Sequence, residues 1–259
     1  MKKVSITQFK NGSFNIIDDN VAEEKILHLE INSEINFDVI ITPEDIEPFV
    51  YGNLYSEGFI KSPKDVLGYS EKIRNGLISV VVKIKDFSKR SQFFRKNYNI
   101  VWTECGSTGE VKRMTDQFKA IESGLKIKAD VLLTLRTIIN DKIELFKQTG
   151  AFHYAFLFDE NLGLRTYAYD IGRHNAIDKA IGKELLKTGK LDDKIIYTTG
   201  RISSDIIMKC LRAKIPIIIS RGAPLHSAVE LARKYNMCLI GFLRGKRFNI
   251  YSSPEKIIR

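Results

Sequence analysis

The chain has 259 residues, 44% hydrophobic and 28% charged, which suits one large or two smaller globular units and argues against a disordered or fibrous protein. Lys and Arg outnumber Asp and Glu by 41 to 31, a formal net charge of +10; that excess favours a phosphate-bearing ligand, a nucleic acid or an acidic protein partner, and equally describes a lysine-rich solvated surface. No run of about 18 apolar residues marks a membrane span, the first ten residues lack a signal-peptide core, and Cys105, Cys210 and Cys238 have no paired spacing, which argues against a disulfide framework or a zinc knuckle. A cytoplasmic protein is expected, and abundant Ile and Lys with few Gln point weakly to a heat-adapted source.

Residues 1 to about 40 alternate apolar and polar runs, as in Lys25 to Ile31 and Asp38 to Thr42, a pattern that predicts half-buried strands. His28 within them reads as structural. Thr42-Pro43-Glu44-Asp45 then opens a helix: Thr42 caps it, proline suits the first turn, and two acids complement the positive end of the dipole. Ile46, Phe49, Val50 and Leu54 follow at helical spacing, and Gly58 ends the helix. Leu77 to Ile84 reads as a well-buried strand. The polar stretch 111–128 is expected to connect two lobes, a mixed α/β lobe over 1–115 and an α/β lobe over 116–259.

One long amphipathic helix is predicted next, with Val131, Leu132, Leu135, Ile138, Ile139 and Phe146 on one side and Gly150 at its end. Strands near 153–158 and 164–169 follow, then a helix near 174–187, a strand near 194–199, a helix near 203–213, a strand over 215–220, a helix near 224–235, and strands near 238–243 and 247–251. This alternation indicates a sheet covered by helices, an α/β fold. No internal repeat or low-complexity tract is present.

Unusual polar residues collect where these strands end, the place where open α/β sheets bind ligands. His153 follows Thr149-Gly150 and reads either as a structural histidine or as a ligand-binding or acid–base group. Asp170-Ile171-Gly172-Arg173-His174-Asn175, continuing to Asp178-Lys179, packs five ionisable groups into ten positions; burying them without partners is costly, which favours an anion-binding or catalytic corner over an ordinary cap. Thr199-Gly200-Arg201, running into Ser203-Ser204-Asp205, offers backbone amides and a guanidinium to a phosphate but lacks the P-loop pattern. Phe242-Leu243-Arg244-Gly245-Lys246-Arg247 is a basic turn that could clasp a pyrophosphate or be an exposed hairpin tip.

One further stretch, Val101-Trp102-Thr103-Glu104-Cys105-Gly106-Ser107-Thr108-Gly109, joins the only tryptophan to a cysteine followed closely by two glycines. Cys105 reads either as an accessible loop thiol or as a small buried hydrophobe. Glu104 would raise its pKa, and Lys112 and Arg113 would lower it if the loop folds back. Cys210 and Cys238 read as packing residues.

Together these groups resemble the FdhD family, the formate dehydrogenase accessory sulfurtransferases. The resemblance is carried by Thr42-Pro43, Ser56-Glu57-Gly58-Phe59-Ile60, Thr103-Glu104-Cys105-Gly106, Thr149-Gly150 with His153, Asp170 with Gly172 to Ala176 and Asp178-Lys179, Gly200-Arg201 and the basic C-terminal turn, and it spans nearly the whole chain. It implies a sulfur carrier that receives sulfur from a cysteine desulfurase as a persulfide on Cys105. That sulfur would pass to a molybdenum or tungsten bis-pyranopterin guanine dinucleotide (Mo-bis(molybdopterin guanine dinucleotide) or its tungsten equivalent), bound as substrate, before the cofactor enters formate dehydrogenase. The guanine dinucleotide would lie against Phe242, Leu243, Arg244, Gly245, Lys246 and Arg247, with Arg173, His174 and Arg201 as further candidates. A homodimer and a three-layer C-terminal fold similar to cytidine deaminases, with helices on both faces of a mixed sheet, are also implied.

The deaminase zinc signature is nonetheless absent. His153 is followed by Tyr154-Ala155 where H-x-E would need glutamate, and Ala223 to His226 holds no cysteine pair, so neither deamination nor a bound zinc is expected. The family commonly carries a C-x-x-C pair, whereas the second position here is Thr108, which removes any two-thiol shuttle. The alternatives are a non-catalytic chaperone for the cofactor and a nucleic-acid-binding protein; the latter lacks the aromatic and basic interleaving of an RNA-binding sheet.

Overall fold

The strand-forming stretches at the start of the chain build two separate pieces of sheet. The structure, a computed structural model, describes residues 1–87 and 118–259. Lys2–Lys10 (β1) and Ser13–Val21 (β2) pair as an antiparallel hairpin turned through Asn11 and Gly12, both at positive φ. Half-buried strands were expected there, but the hairpin lies almost wholly in solvent, with Phe14 76% and Ile16 80% exposed. Its apolar side chains belong to none of the core clusters of the described residues.

Lys25–Ile31 (β3), Ile35–Ile41 (β4), Val66–Arg74 (β5) and Leu77–Ile84 (β6) form a four-stranded sheet in the order β4-β3-β6-β5, with β3 and β6 parallel. Here the period-two pattern holds: Leu27, Leu29 and Ile31 are buried, while Ile26, His28 and Glu30 between them are not. Helix α1, Ile46–Ser56, covers the inner face through Phe49, Val50 and Leu54. It starts four residues later than the cap predicted at Thr42. Asp45 is the N-cap, at φ 57, and makes no side-chain capping bond; its carboxylate instead reaches Lys183 Nζ at 2.6 Å. Thr42 is drawn off by contacts with the second lobe, described below.

The second lobe is the expected α/β fold. His153–Phe158 (β8), Leu164–Asp170 (β9), Ile195–Thr198 (β10), Ile217–Ser220 (β11), Cys238–Arg244 (β12) and Arg247–Ser252 (β13) form one mixed sheet in the order β13-β12-β11-β10-β8-β9. Strands β10, β11 and β12 run parallel, and the others pair antiparallel. Alternate residues face two cores. Ala155, Leu157, Ile196, Ile218 and Leu239 pack against helices Arg173–Thr188 (α4), Ser204–Arg212 (α5) and His226–Lys234 (α6). Phe156, Phe158, Tyr197, Ile219 and Ile240 lie in the opposite cluster with Leu132, Leu135 and Ile139, which gives three layers.

The long helix predicted through Phe146 is two helices, Ala129–Asn140 (α2) and Glu144–Thr149 (α3). The helix-poor pair Asn140-Asp141 ends the first, and the second starts after the buried Ile143. A short parallel pair, Ile127–Lys128 (β7) with Ile257–Ile258 (β14), ties the chain's end to the connecting segment. The boundary expected at 115–116 lies outside the described residues.

Candidate functional site at the strand ends

Because β10, β11 and β12 are parallel, their three C-terminal turns emerge side by side, and they are bonded into one unit. Ser220 Oγ donates to Gly200 O at 2.5 Å and accepts from Gly222 N at 2.7 Å, while Arg221 N donates to Thr198 O at 3.1 Å. Phe242 N donates to Gly222 O at 3.0 Å. These turns approach so closely that a Cβ on Gly222 would lie 2.9 Å from Gly200 O. Phe242 has φ 55 within a register irregularity between Gly241 and Arg244. Such bulges re-aim a side chain. Here Arg244 lies with its guanidinium 5.3 Å from the Phe242 ring centroid and donates through Nε to Arg221 O at 2.9 Å.

The neighbouring antiparallel strands bring His153 and Asp170 to the same edge, where they are paired residues of β8 and β9. A cleft of about 170 Å³ opens there, with Ile143 and Phe146 as an apolar wall and His153, Thr199, Arg221, Gly222 and Arg244 as the remainder. Burial pushes the His153 pKa below its ordinary value, and the neighbouring Arg173 and Arg201, with His174 when protonated, push it further, against Asp170. The ring is therefore uncharged at neutral pH, a hydrogen-bonding group among cations.

Much of the ionisable cluster at 170–179 faces the first lobe instead. Lys179 and Asp170, both 0% exposed, are paired at 2.7 Å. Thr42 N donates to Asp170 Oδ2 at 3.1 Å, Lys179 Nζ donates to Thr42 O at 2.9 Å, and Ile171 N donates to Thr42 Oγ1 at 3.1 Å. Asn175 Nδ2 bridges Asp170 Oδ1 and Ile40 O, at 3.0 and 2.9 Å. The partners that make burial of these groups tolerable are thus supplied by the turn after β4, and no ligand is needed to satisfy them.

A second latch joins α1 to α4 and α5. Lys209 Nζ reaches Asp178 Oδ2 at 2.9 Å, Glu57 Oε1 at 2.6 Å and Ser56 Oγ at 3.0 Å, and Ser56 Oγ donates to Asp178 Oδ1 at 2.7 Å. Burial opposes the charge on Lys209, but Asp178 and Glu57 outweigh it and raise its pKa. Removing one member of a buried ion cluster costs more than the cluster contributes, because the others stay behind unpaired. Lys209→Met is expected to lower unfolding free energy by about 3 kcal/mol, measured by denaturant titration.

Glu57 adds a pH dependence of defined sign. Burial raises its pKa, but Lys209 and Arg212 prevail and hold it below the ordinary 4.5. A carboxyl with a depressed folded pKa contributes stability that is complete above its unfolded value and lost as pH falls through the folded one. Melting temperature is therefore expected to decline below about pH 4.5, with a shallower acid limb in Glu57→Gln. An acid limb that this change leaves untouched assigns the loss to other carboxyls.

Comparison with known proteins supplies the decisive observation. The model of the FdhD/NarQ family matches residues 22–258. The chain belongs to the FdhD/NarQ family. It is 31% identical to a protein of Geobacillus kaustophilus over 99% of this chain and 97% of the other, and 34% identical to one of Sulfurisphaera tokodaii over 100% and 99%; both are named sulfur carrier protein FdhD. Its structure is similar, with TM-score 0.78 and 25% identity over 99% of both chains, to the crystal structure of a protein from Desulfotalea psychrophila described as a formate dehydrogenase accessory protein.

Within this FdhD/NarQ fold the sequence-predicted residues fall in different places. Arg173 and His174 open α4, and the position of a Cβ on Gly200 would be 2.9 Å from Arg173 Cβ, so the Arg173 stem lies on the turn that carries Arg201. Phe242 and Arg244 stand at the strand ends. The Leu243 side chain is buried in the sheet's core, Gly245 and Lys246 form the exposed tip between β12 and β13, and the exposed Arg247 opens β13. Cys105, with Glu104, Thr108, Lys112 and Arg113, lies outside the described residues. Arg221 is a cleft residue that the sequence reading did not assign, and Thr199 is one that it named only as part of the turn carrying Arg201. The signal for Arg221 was present, since Ser220-Arg221-Gly222 repeats the strand, glycine and arginine composition of Thr199-Gly200-Arg201.

Proposed function

We propose that the chain is a sulfur carrier for formate dehydrogenase maturation. It takes sulfur from a cysteine desulfurase as a persulfide on Cys105 and passes it to a molybdenum or tungsten bis-pyranopterin guanine dinucleotide before that cofactor enters the enzyme. In the first transfer the Cys105 thiolate attacks the outer sulfur of the donor persulfide; a new S–S bond forms as the donor's S–S bond breaks and the donor leaves as a thiolate. Family membership and the names of its relatives support the role. Support for Cys105 comes from the other two thiols: Cys210 and Cys238 are fully buried, and burial pushes both pKa values up to about 12, where little nucleophilic thiolate exists at neutral pH.

The observation that carries the cofactor half is the convergence of Arg173, Arg201, Arg221 and Arg244 on three adjoining strand-end turns. The 170 Å³ cleft has room for one ring of the dinucleotide, not for all of it. Arginines around such a ring would offset phosphate charge. A homodimer, implied by the family resemblance, and a cytoplasmic location belong to the same proposal.

Isothermal titration with guanosine diphosphate tests the cofactor half. Arg221→Ala and Arg244→Ala are each expected to weaken binding about tenfold at low salt, the scale of one charge-assisted hydrogen bond, and less at high salt. Affinity that neither change alters moves the nucleotide away from the strand ends. The non-catalytic chaperone shares this outcome and is separated from the carrier by the persulfide measurement that closes the Discussion.

A further inference from the structure

The register of the β1–β2 hairpin sorts its side chains onto two faces, because residues paired across antiparallel strands point the same way. Phe9 with Phe14, Thr7 with Ile16, Ser5 with Asp18 and Lys3 with Asn20 form one face. Near the turn this face is apolar: the Phe9 and Phe14 ring centroids are 5.0 Å apart, and Phe9, like Phe14 and Ile16, is exposed, by 63%. Its charged residues are Lys3 and Asp18, one of each sign, on a chain of net charge +10. Among the described residues β1 and β2 pair with no other strand. A two-stranded hairpin is marginally stable in water unless further strands or a packed surface support it. Neither the strand-end cleft nor the two latches between the lobes draws on this hairpin, and it precedes residues 22–258, the part that the family model matches.

We propose that this face is the contact between two copies of the chain, tip to tip about a two-fold axis, with Phe9, Phe14 and Ile16 of one copy covered by the same face of the other. It rests on the homodimer reading above and adds which surface forms the dimer. Charge selects the occupant. Two copies each carrying +10 repel over most of their surface, so they meet best where the local charges cancel and the side chains are apolar. An acidic partner would be held more strongly by the basic remainder of the chain than by this face. Size agrees as well. Phe9, Phe14 and Ile16 with their polar neighbours expose several hundred Å² per chain, so two faces together approach the lower end of a stable interface, about 1,200 Å².

Sedimentation velocity of the full-length chain tests it. The wild-type chain is expected to be a dimer at micromolar concentration. Phe14→Glu and Phe14→Lys each bring like charges together across the contact, and each should raise the dimer dissociation constant at least about thirtyfold, the scale of one lost aromatic anchor. An equimolar mixture of the two variants should regain the dimer, because Glu then meets Lys, a result that a collapsed hairpin could not give. Val4→Lys, on the opposite face and paired with Asp19, should leave the dissociation constant within about threefold of wild type. A dimer that survives both Phe14 changes overturns the proposal and leaves the homodimer reading standing. An equal loss in Val4→Lys, or a mixture that stays monomeric, overturns it in the same way. A wild-type chain that is monomeric at every concentration removes the homodimer reading, and the proposal with it.

Discussion

Gly182→Ala is expected to leave little folded protein, a loss of more than about 4 kcal/mol, beyond the common range for overpacking. A Cβ at Gly182 would lie 1.8 Å from Pro48 O, and one at Gly52 would lie 1.8 Å from Asp178 O. Helices α1 and α4 therefore touch backbone to backbone in both directions. A flexible side chain could swing away from a new methyl; a helix backbone cannot. The helices must separate, and the Lys209, Ser56, Glu57 and Asp178 latch would open beside them. Gly124→Ala is the control, since nothing lies within 4 Å of its added Cβ and its φ is not in the left-handed region. Denaturant unfolding followed by circular dichroism measures both. A Gly182→Ala protein as stable as Gly124→Ala would mean that the lobes are not held at this crossing.

This crossing was not legible in the sequence, although both glycines were in plain view. A glycine inside a helical pattern reads as a weak spot until its neighbour is known, and that neighbour lies on the other lobe. The same applies to Thr42. Local chemistry makes Thr42-Pro43 a good helix start, but the Asp170 carboxylate, 128 positions away, takes its amide, and the helix begins at Ile46 instead. Tertiary contacts overrode a cap worth about 1 kcal/mol. At Asp170, Asn175, Asp178 and Lys179 the sequence correctly demanded partners for buried charge, yet it could not tell a ligand from the other lobe. Four of the residues that looked most like a binding corner hold the lobes together.

The second lobe was far more legible, because its signals are local. Runs such as Ile217–Ser220 are buried on both faces and bounded by turn residues, and α5 and α6 carry apolar stripes at helical spacing. Strand order was not read from the sequence, since it depends on pairings such as β10 with β8 that no local pattern encodes. The site was partly legible for the same reason. Glycine and arginine after a strand mark each turn separately, which found Arg201 and Arg244. Their assembly around Arg221 and His153 required the parallel register. The exposed hairpin of β1 and β2 was misjudged because alternation measures amphipathicity, not whether anything covers the apolar side.

The central claim is that sulfur rides on Cys105. The purified chain is incubated with a cysteine desulfurase and free cysteine, and its intact mass is measured before and after treatment with a reductant, with peptide mapping to place the addition. The account predicts the gain of one sulfur atom per chain on the peptide containing Cys105, removed by reductant and absent from Cys105→Ala, with Cys210 and Cys238 unmodified in the folded protein. An unmodified wild-type chain, or sulfur that persists in Cys105→Ala, would contradict it.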